Sequence, residues 1–242
     1  MQNCIVVLAG GMGKRMKSET PKVLHKLNKN SILSNIIIKL KSLNVDIFVV
    51  TGKFHTIIKN TIDLEVSDSS NIKYINQEPA YGTGHALQCA FNTINKKYKG
   101  VLVLNGDCPF LSLESIKDMI NCNQDCMLGI CSMSKTDKNW HGHGRIVIEN
   151  SKIKKIVEAK DCNKDEFEIS TINGGVYYFN INILSNFIYK LDNNNKQKEF
   201  YITDLIHHFV SNNYNVFPLY LTKKEILNIN TPEELELAKK IY

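Results

Sequence analysis

No stretch of the 242 residues approaches the roughly 20 consecutive apolar residues that a membrane-crossing helix needs. Met1 to Leu8 runs straight into a strand pattern and lacks the layout of a secretory signal. A soluble, cytoplasmic protein is expected. The seven cysteines include no CxxC pair, and their odd number and scatter from Cys4 to Cys162 argue for reduced thiols over a disulfide framework. Cys122, Cys126 and Cys131 lack the spacing and the fourth ligand of a structural zinc site. The net charge of +6 is dispersed, with no basic helix and no basic run interleaved with aromatics, so a nucleic-acid partner is not expected. Internal repeats and a Pro/Gly-rich linker are also missing. The one conspicuous break, Asp192 to Lys198, reads as a surface loop, so residues 1–242 are expected to form a single domain.

What is present is an ordered alternation. Cys4 to Leu8 is a short, continuous apolar run stopped by Gly10 and Gly11, the pattern of a buried parallel strand entering a tight loop. Helix is predicted over Ser31 to Leu43, where residues 33, 36, 37 and 40 share a face. Strands are predicted at Asp46 to Thr51, Ile72 to Asn76 and Gly100 to Asn105, separated by helical patterns such as Thr83 to Ile94. This βαβ alternation predicts an α/β, Rossmann-like architecture, a mostly parallel mixed sheet with helices on both faces. Beyond Cys126, Arg145 to Glu149 and Lys152 to Glu158 alternate around Asn150-Ser151 like an antiparallel hairpin, followed by a strand at Thr171 to Phe179. The second half is therefore expected to add a small antiparallel, substrate-covering extension to the parallel core, the two halves dividing at about 1–125 and 126–242. A closing helix, Glu233 to Ile241, follows Thr231 as N-cap and Pro232 at its first position.

The loop Leu8-Ala-Gly-Gly-Met-Gly-Lys-Arg-Met16, ahead of Thr20-Pro21-Lys22-Val23-Leu24, can turn backbone N–H groups toward an anion. Lys14, Arg15 and Lys22 add positive charge. Two familiar phosphate loops fail here. Arg15 stands where a P-loop needs Ser or Thr, and Met16 where a dinucleotide fingerprint needs a third small residue. No convincing Ser/His/Asp nucleophile arrangement is visible, and phosphoryl-type transfer needs none, because backbone donors, Lys/Arg and a divalent ion suffice. Asp107 follows an apolar strand and Gly106, at the carboxyl end of the sheet where open α/β folds bind ligands, and is the first candidate Mg²⁺ ligand.

Together with Pro21-Lys22-Val23-Leu24-His25, this loop resembles the signature of sugar-phosphate nucleotidyltransferases. Within them it is similar to the N-acetylglucosamine-1-phosphate uridylyltransferase domain of the bacterial bifunctional enzyme. Gln77 with Tyr81-Gly-Thr-Gly-His-Ala86, Leu104-Asn-Gly-Asp-Cys-Pro109, Gly144-Arg-Ile146, Ile156-Val-Glu-Ala-Lys-Asp161, Ile172-Asn-Gly-Gly175 and Glu199-Phe-Tyr-Ile-Thr-Asp204 extend the likeness in order from about residue 4 to about 232. The resemblance implies attack by a sugar 1-phosphate oxygen on the α-phosphorus of UTP, with Mg²⁺ as cofactor and pyrophosphate as leaving group. It implies that Arg15, Lys22 and Asp107 are catalytic. Leu8, Ala9, Gly10, Gly11, Lys22, Gln77, Gly82 and Thr83 would bind the nucleotide, and Gly144, Glu158, Asn173, Lys160 and Thr171 the sugar. Asp107 and Asn230 would hold the metal, with Asn228 a rival for the second position.

Met12, Asn105 and His143 depart from that family's pattern, which leaves glucose 1-phosphate or another hexosamine phosphate as alternatives to N-acetylglucosamine 1-phosphate. A nucleotidyltransferase of the same fold that uses dTTP or CTP is a separate alternative. A catalytically silent sensor of nucleotide sugars is a further one. His141 and His143 lack the nearby carboxylate a metal site would want, and His207-His208 reads as packing and surface. The bacterial enzyme's acetyltransferase β-helix, built from hexapeptide repeats, has no counterpart here. Acetylation and trimerisation are therefore not expected, and a monomer or dimer is.

Overall fold

A strand whose residues are all apolar must be covered on both faces, and Cys4–Leu8 (β1) is buried from Cys4 to Val7. In the computed structural model, which describes residues 2–95, 97–137, 140–150 and 152–242, it lies in the interior of the main sheet. Single turns at Lys14–Met16 and Lys22–Leu24 follow, then the short pair β2 (Lys26–Leu27) and β3 (Asn30–Ser31) and helix α1 (Ile32–Lys41). The alternation continues through β4 (Ile47–Thr51), α2 (His55–Glu65), β5 (Ile72–Asn76), α3 (Thr83–Ile94), β6 (Gly100–Asn105) and α4 (Leu113–Ile120). The remainder comprises β7 (Cys126–Ser132), β8 (Arg145–Glu149), β9 (Lys152–Val157), α5 (Lys164–Phe167), β10 (Thr171–Asn180), α6 (Ile181–Leu184), α7 (Asp204–Ser211), β11 (Val216–Tyr220) and α8 (Pro232–Ile241).

Among the described residues the main sheet runs β11-β7-β10-β6-β1-β4-β5, with the β8–β9 hairpin joined to β10. β1 pairs in parallel with β4 and β6, and β10 runs antiparallel to both β6 and β7. Because side chains alternate across a strand, Ile5 and Val7 enter one core and Cys4 and Val6 the other, which is why helices are needed on both faces. The second half contributes more than an extension. Only β8–β9 projects, whereas β10 is inserted between β6 and β7, its residues Val176 to Phe179 buried on both faces. Ser151, read as half of the β8–β9 turn, lies outside the described residues. Among the described residues no helix is long and apolar enough to cross a membrane.

Two local features fix the ends of this arrangement. Thr231 caps α8 with a reciprocal box, its hydroxyl accepting from Glu234 N while the Glu234 carboxylate accepts from Thr231 N and, at 2.6 Å, from Asn230 N. At the start of α7, burial together with Asp192 and Asp161 pushes Asp204 up to about 6 from an ordinary 3.8.

Thr231→Ala should lower the free energy of unfolding by about 1 kcal/mol, read as a shifted urea midpoint at unchanged slope. The raised Asp204 makes the folded state bind its proton more tightly than the unfolded state, so stability falls as pH rises from about 4 through 6. Asp204→Asn should therefore raise Tm at neutral pH, and differential scanning calorimetry should show that gain fading toward pH 4.

Candidate active site

The sheet brings the ends of β1 and β6 side by side, since Leu8 is in register with Asn105 and Gly106 N donates to Leu8 O at 2.9 Å. A Cβ on Gly106 would stand 3.0 Å from Leu8 O, so glycine there lets the two chain ends touch. Ala9 N donates to Val50 O, and Gly10 lies against Gly52 and the Gln77 side chain. Gly11 faces open space. Gly13, at φ 60°, folds the loop onto the Lys22 stem, where a Cβ would come within 2.6 Å of Lys22 Cβ. The glycine-rich loop thus touches Gln77 through Gly10 and Lys22 through Gly13.

Lys22 Nζ donates to the Asp107 carboxylate, forming an ion pair, and to Asn230 Oδ1 at 2.7 Å. These partners come from the end of β6 and the segment before α8, and all three side chains are largely withdrawn from solvent. Ile229 N donates to Asp107 O at 3.0 Å, tying the two segments together by backbone as well. Asn228 instead lines a small cleft with Phe110 and Leu237. The Cys108 thiol, pushed far up by burial, donates to Asp107 Oδ1 at 3.4 Å. Lys39, on α1, donates to Pro109 O and Leu111 O, both at 2.7 Å, and braces the turn after Asp107 from behind. Arg15 is exposed on the Lys14–Met16 turn, and no ion pair of the described residues joins it to this cluster.

Gln77 follows β5, is 4% exposed, and donates through Nε2 to Gly82 O at 2.8 Å, with His85 Nδ1 at 3.2 Å. Its Oε1 is turned toward Gly10. Gly82, at φ 110°, has no room for a side chain, because a Cβ would meet Phe200 O at 2.6 Å. Gly84 N donates to Phe200 O, and Ile202 N to Thr83 Oγ1, so the start of α3 and the Glu199 to Ile202 segment are clasped together.

Among the residues expected to meet the sugar, Asn173 N donates to Gly144 O at 2.9 Å, placing β10 beside the loop that enters β8. The Asn173 amide is held by Gly175 N and by Tyr177 OH. Glu158, at the end of β9, has its pKa raised by burial and accepts from Thr203 Oγ1 at 3.0 Å; its other oxygen lies 3.6 Å from where a Gly144 Cβ would be. Gly144, Glu158 and Asn173 therefore meet. His143 is buried, which holds its pKa below the ordinary value, and its Nδ1 lies 3.2 Å from Asn173 O. A carbonyl only accepts, so Nδ1 carries the proton and Nε2 of the neutral ring is an acceptor. Lys160 is exposed and pairs with Gln197, a loop-to-loop contact, and Thr171 pairs with Ser132 two residues before Asn173. Neither is brought to the Glu158–Asn173 cluster by a hydrogen bond among the described residues.

Cys108, Thr203, Tyr177 and Lys39 escaped the reading of the sequence. Cys108 and Thr203 lay in motifs quoted there, Leu104 to Pro109 and Glu199 to Asp204, but neither was given a role, and the Thr203 bond to Glu158 spans 45 residues. An open cleft of about 510 Å³ beside Glu158 is lined by Asp161, Asp192 and Asp204, a charge set that repels a triphosphate.

The model of the MobA-like NTP transferase domain matches residues 5–157. A protein of Acanthamoeba polyphaga mimivirus named "Probable UDP-N-acetylglucosamine pyrophosphorylase" is 38% identical over 243 residues, 98% of this chain and 95% of that one. The bifunctional protein GlmU of Clostridium botulinum is 35% identical over 99% of this chain and 52% of its own length, and that of Aliarcobacter butzleri 38% identical over 98% and 53%. The chain thus spans about half the length of these bifunctional relatives. In three dimensions, HddC from Yersinia pseudotuberculosis superposes with a TM-score of 0.72 at 19% identity, covering 100% of this chain and 99% of that one. The inositol-1-phosphate CTP transferase from T. maritima gives 0.70 at 16%, covering 99% and 96%. These two likenesses establish the nucleotidyltransferase fold, and the family match and the mimivirus relative establish kinship: the chain belongs to the MobA-like NTP transferase family.

Proposed function

We propose that this chain transfers the uridylyl group of UTP to N-acetylglucosamine 1-phosphate, releasing pyrophosphate and forming UDP-N-acetylglucosamine. The observation that carries the reading is the meeting of Lys22, Asp107 and Asn230 beside a glycine loop, with Gly144, Glu158 and Asn173 gathered at the start of β10, the strand paired antiparallel with β6. The names of the mimivirus and GlmU relatives support the choice of substrates.

The residues present fit a divalent ion. Asp107 and Asn230 aim a carboxylate and an amide oxygen at one positive charge, the Lys22 ammonium, and oxygen donors of this kind, completed by phosphate and water, suit Mg²⁺. When bound, Mg²⁺ supplies charge neutralisation at the α-phosphate. Lys22 then turns to the triphosphate, assisted by Arg15 from the exposed turn and by backbone N–H groups of Gly10 and Gly11. Leu8 and Ala9 support that loop, and Gln77, Gly82 and Thr83 hold the uracil, the Gln77 amide oxygen accepting from its imide N–H. Gly144, Glu158 and Asn173 position the sugar, with Lys160 and Thr171 at the margin. One oxygen of the sugar phosphate forms a bond to the α-phosphorus as the bond from that phosphorus to the β-phosphate oxygen breaks. Both electron pairs travel with oxygen, so no covalent protein intermediate is required. Residues 1–242 act as one catalytic unit, as a monomer or dimer, in the cytoplasm.

A pyrophosphate-release assay with Mg²⁺, crossing UTP, dTTP, CTP and ATP against N-acetylglucosamine, glucose and glucosamine 1-phosphates, should give turnover chiefly with UTP and N-acetylglucosamine 1-phosphate. A different productive pair would correct the substrates; silence from folded protein with every pair would overturn the transferase reading. Asp107→Ala should reduce kcat by about a thousandfold or more while circular dichroism stays unchanged. Full activity in that variant removes the metal assignment. Gln77→Ala should narrow the preference for UTP over CTP by about tenfold, with a smaller effect on kcat, and an unaltered preference means that another group reads the base.

A further inference from the structure

Arg145 is 0% exposed, and its guanidinium is enclosed by aromatic rings, 4.0 Å from the Trp140 ring centre and 4.6 Å from that of Phe167. The two rings themselves meet edge-on at 4.8 Å. Glu168, the carboxylate that bears on Arg145, is paired with Lys135. Arg145 therefore sits in the interior without a counter-ion of its own among the described residues. Its Nη2, like the neighbouring Trp140 Nε1, has no hydrogen-bond partner among them. A buried ion of this kind is costly, and an apolar side chain of similar volume would ordinarily serve the core at least as well. What an apolar residue cannot do is donate, and Arg145 donates twice to backbone. Nη1 bonds to His143 O and Nε to Phe167 O at 3.2 Å.

The first of those carbonyls belongs to the proposed sugar side, and the second anchors the guanidinium to the end of α5. His143 O begins the peptide that continues into Gly144, whose own carbonyl accepts from Asn173 N at 2.9 Å. The His143 ring closes the circuit by bonding to Asn173 O, and β10 meets β8 at the single pair Ile172 and Arg145. Fixing His143 O thus fixes Gly144 against Asn173 and against the Glu158 carboxylate. Arginine suits this task because its planar fork reaches two acceptors while its faces stack on rings, which a lysine ammonium does not reproduce.

We infer that Arg145 is a positioning residue for the sugar phosphate, a clamp between Trp140 and Phe167 that sets the His143–Gly144 backbone on which sugar recognition rests. The inference depends on the uridylyltransferase reading above, and it assigns to the reaction a side chain that touches no substrate.

The test is steady-state kinetics on the full chain with each substrate varied in turn, comparing the parent with Arg145→Lys. The KM for N-acetylglucosamine 1-phosphate should rise about tenfold while the KM for UTP changes less than twofold, the mark of lost binding confined to one substrate. Trp140 is the only tryptophan, so its emission reports whether the clamp has opened in the variant. Should Arg145→Lys fail to fold, Phe167→Leu keeps the Phe167 carbonyl and removes one ring. It should show the same one-sided rise at about threefold, and Phe167→Tyr should restore parental values. Equal changes in both KM values, or none, in variants of an active parent would make Arg145 a core residue only and overturn the clamp. A parent inactive with every sugar phosphate would overturn the transferase reading instead, and the clamp with it; the parent alone separates the two failures.

Discussion

One ammonium group organises the catalytic end of this molecule. Lys22 is largely buried, and a buried charge must be met by oxygen, so the chain has to deliver acceptors to it from distant points. Asp107 arrives at the end of β6 and Asn230 ahead of α8, 208 residues from Lys22. Several otherwise unrelated details serve that delivery. Gly106 lets β6 close on Leu8, Gly13 lets the loop fold on the lysine stem, Lys39 braces the turn after Asp107, and the Glu234 carboxylate holds the Asn230 backbone. The same geometry that satisfies a lysine collects the oxygen donors a divalent ion would use.

The two sides of the site are built on opposite electrostatic terms. Around the glycine loop, Lys14, Arg15 and Lys22 gather positive charge of the kind an anion requires. Around Gly144, burial raises Glu158 and keeps His143 neutral, and the amide of Asn173 is held by internal hydrogen bonds. Neutral, fixed partners suit hydroxyl and acetamide groups, whose recognition depends on direction more than on charge.

Much of this was legible in the sequence where a single local rule governed the outcome. β1, β5, β6 and α3 have the bounds read from apolar runs and periodicity, and the capping box of α8 is visible in Thr231-Pro-Glu-Glu234. Lys22, Asp107 and Asn230, gathered by resemblance, stand together in space. Less legible were elements that depend on their neighbours. β11 carries Pro218 in its middle, tolerable because the strand lies at the sheet edge, and α2 has Phe54 at its N-cap position, which supplies no side-chain cap. The place of β10 between β6 and β7 follows from pairing partners that no window of sequence contains. Thr203 reaches Glu158 across 45 residues and Arg145 reaches Phe167 across 22, and no local window shows either bond. Arg15 and Lys160, which the resemblance selects, are exposed on surface turns.

Asn230 comes after the last strand of the sheet, and this order has a consequence for the growing polypeptide. During synthesis the glycine loop, Lys22 and Asp107 all emerge while the second oxygen partner is still unmade, and the segment bearing Ile229 that pins Asp107 does not yet exist. A nascent chain can pair all the strands of its sheet while Lys22 still faces the Asp107 carboxylate alone. The cluster closes only when the segment ahead of α8 docks, so its last polar partner is among the last parts of the domain to be made.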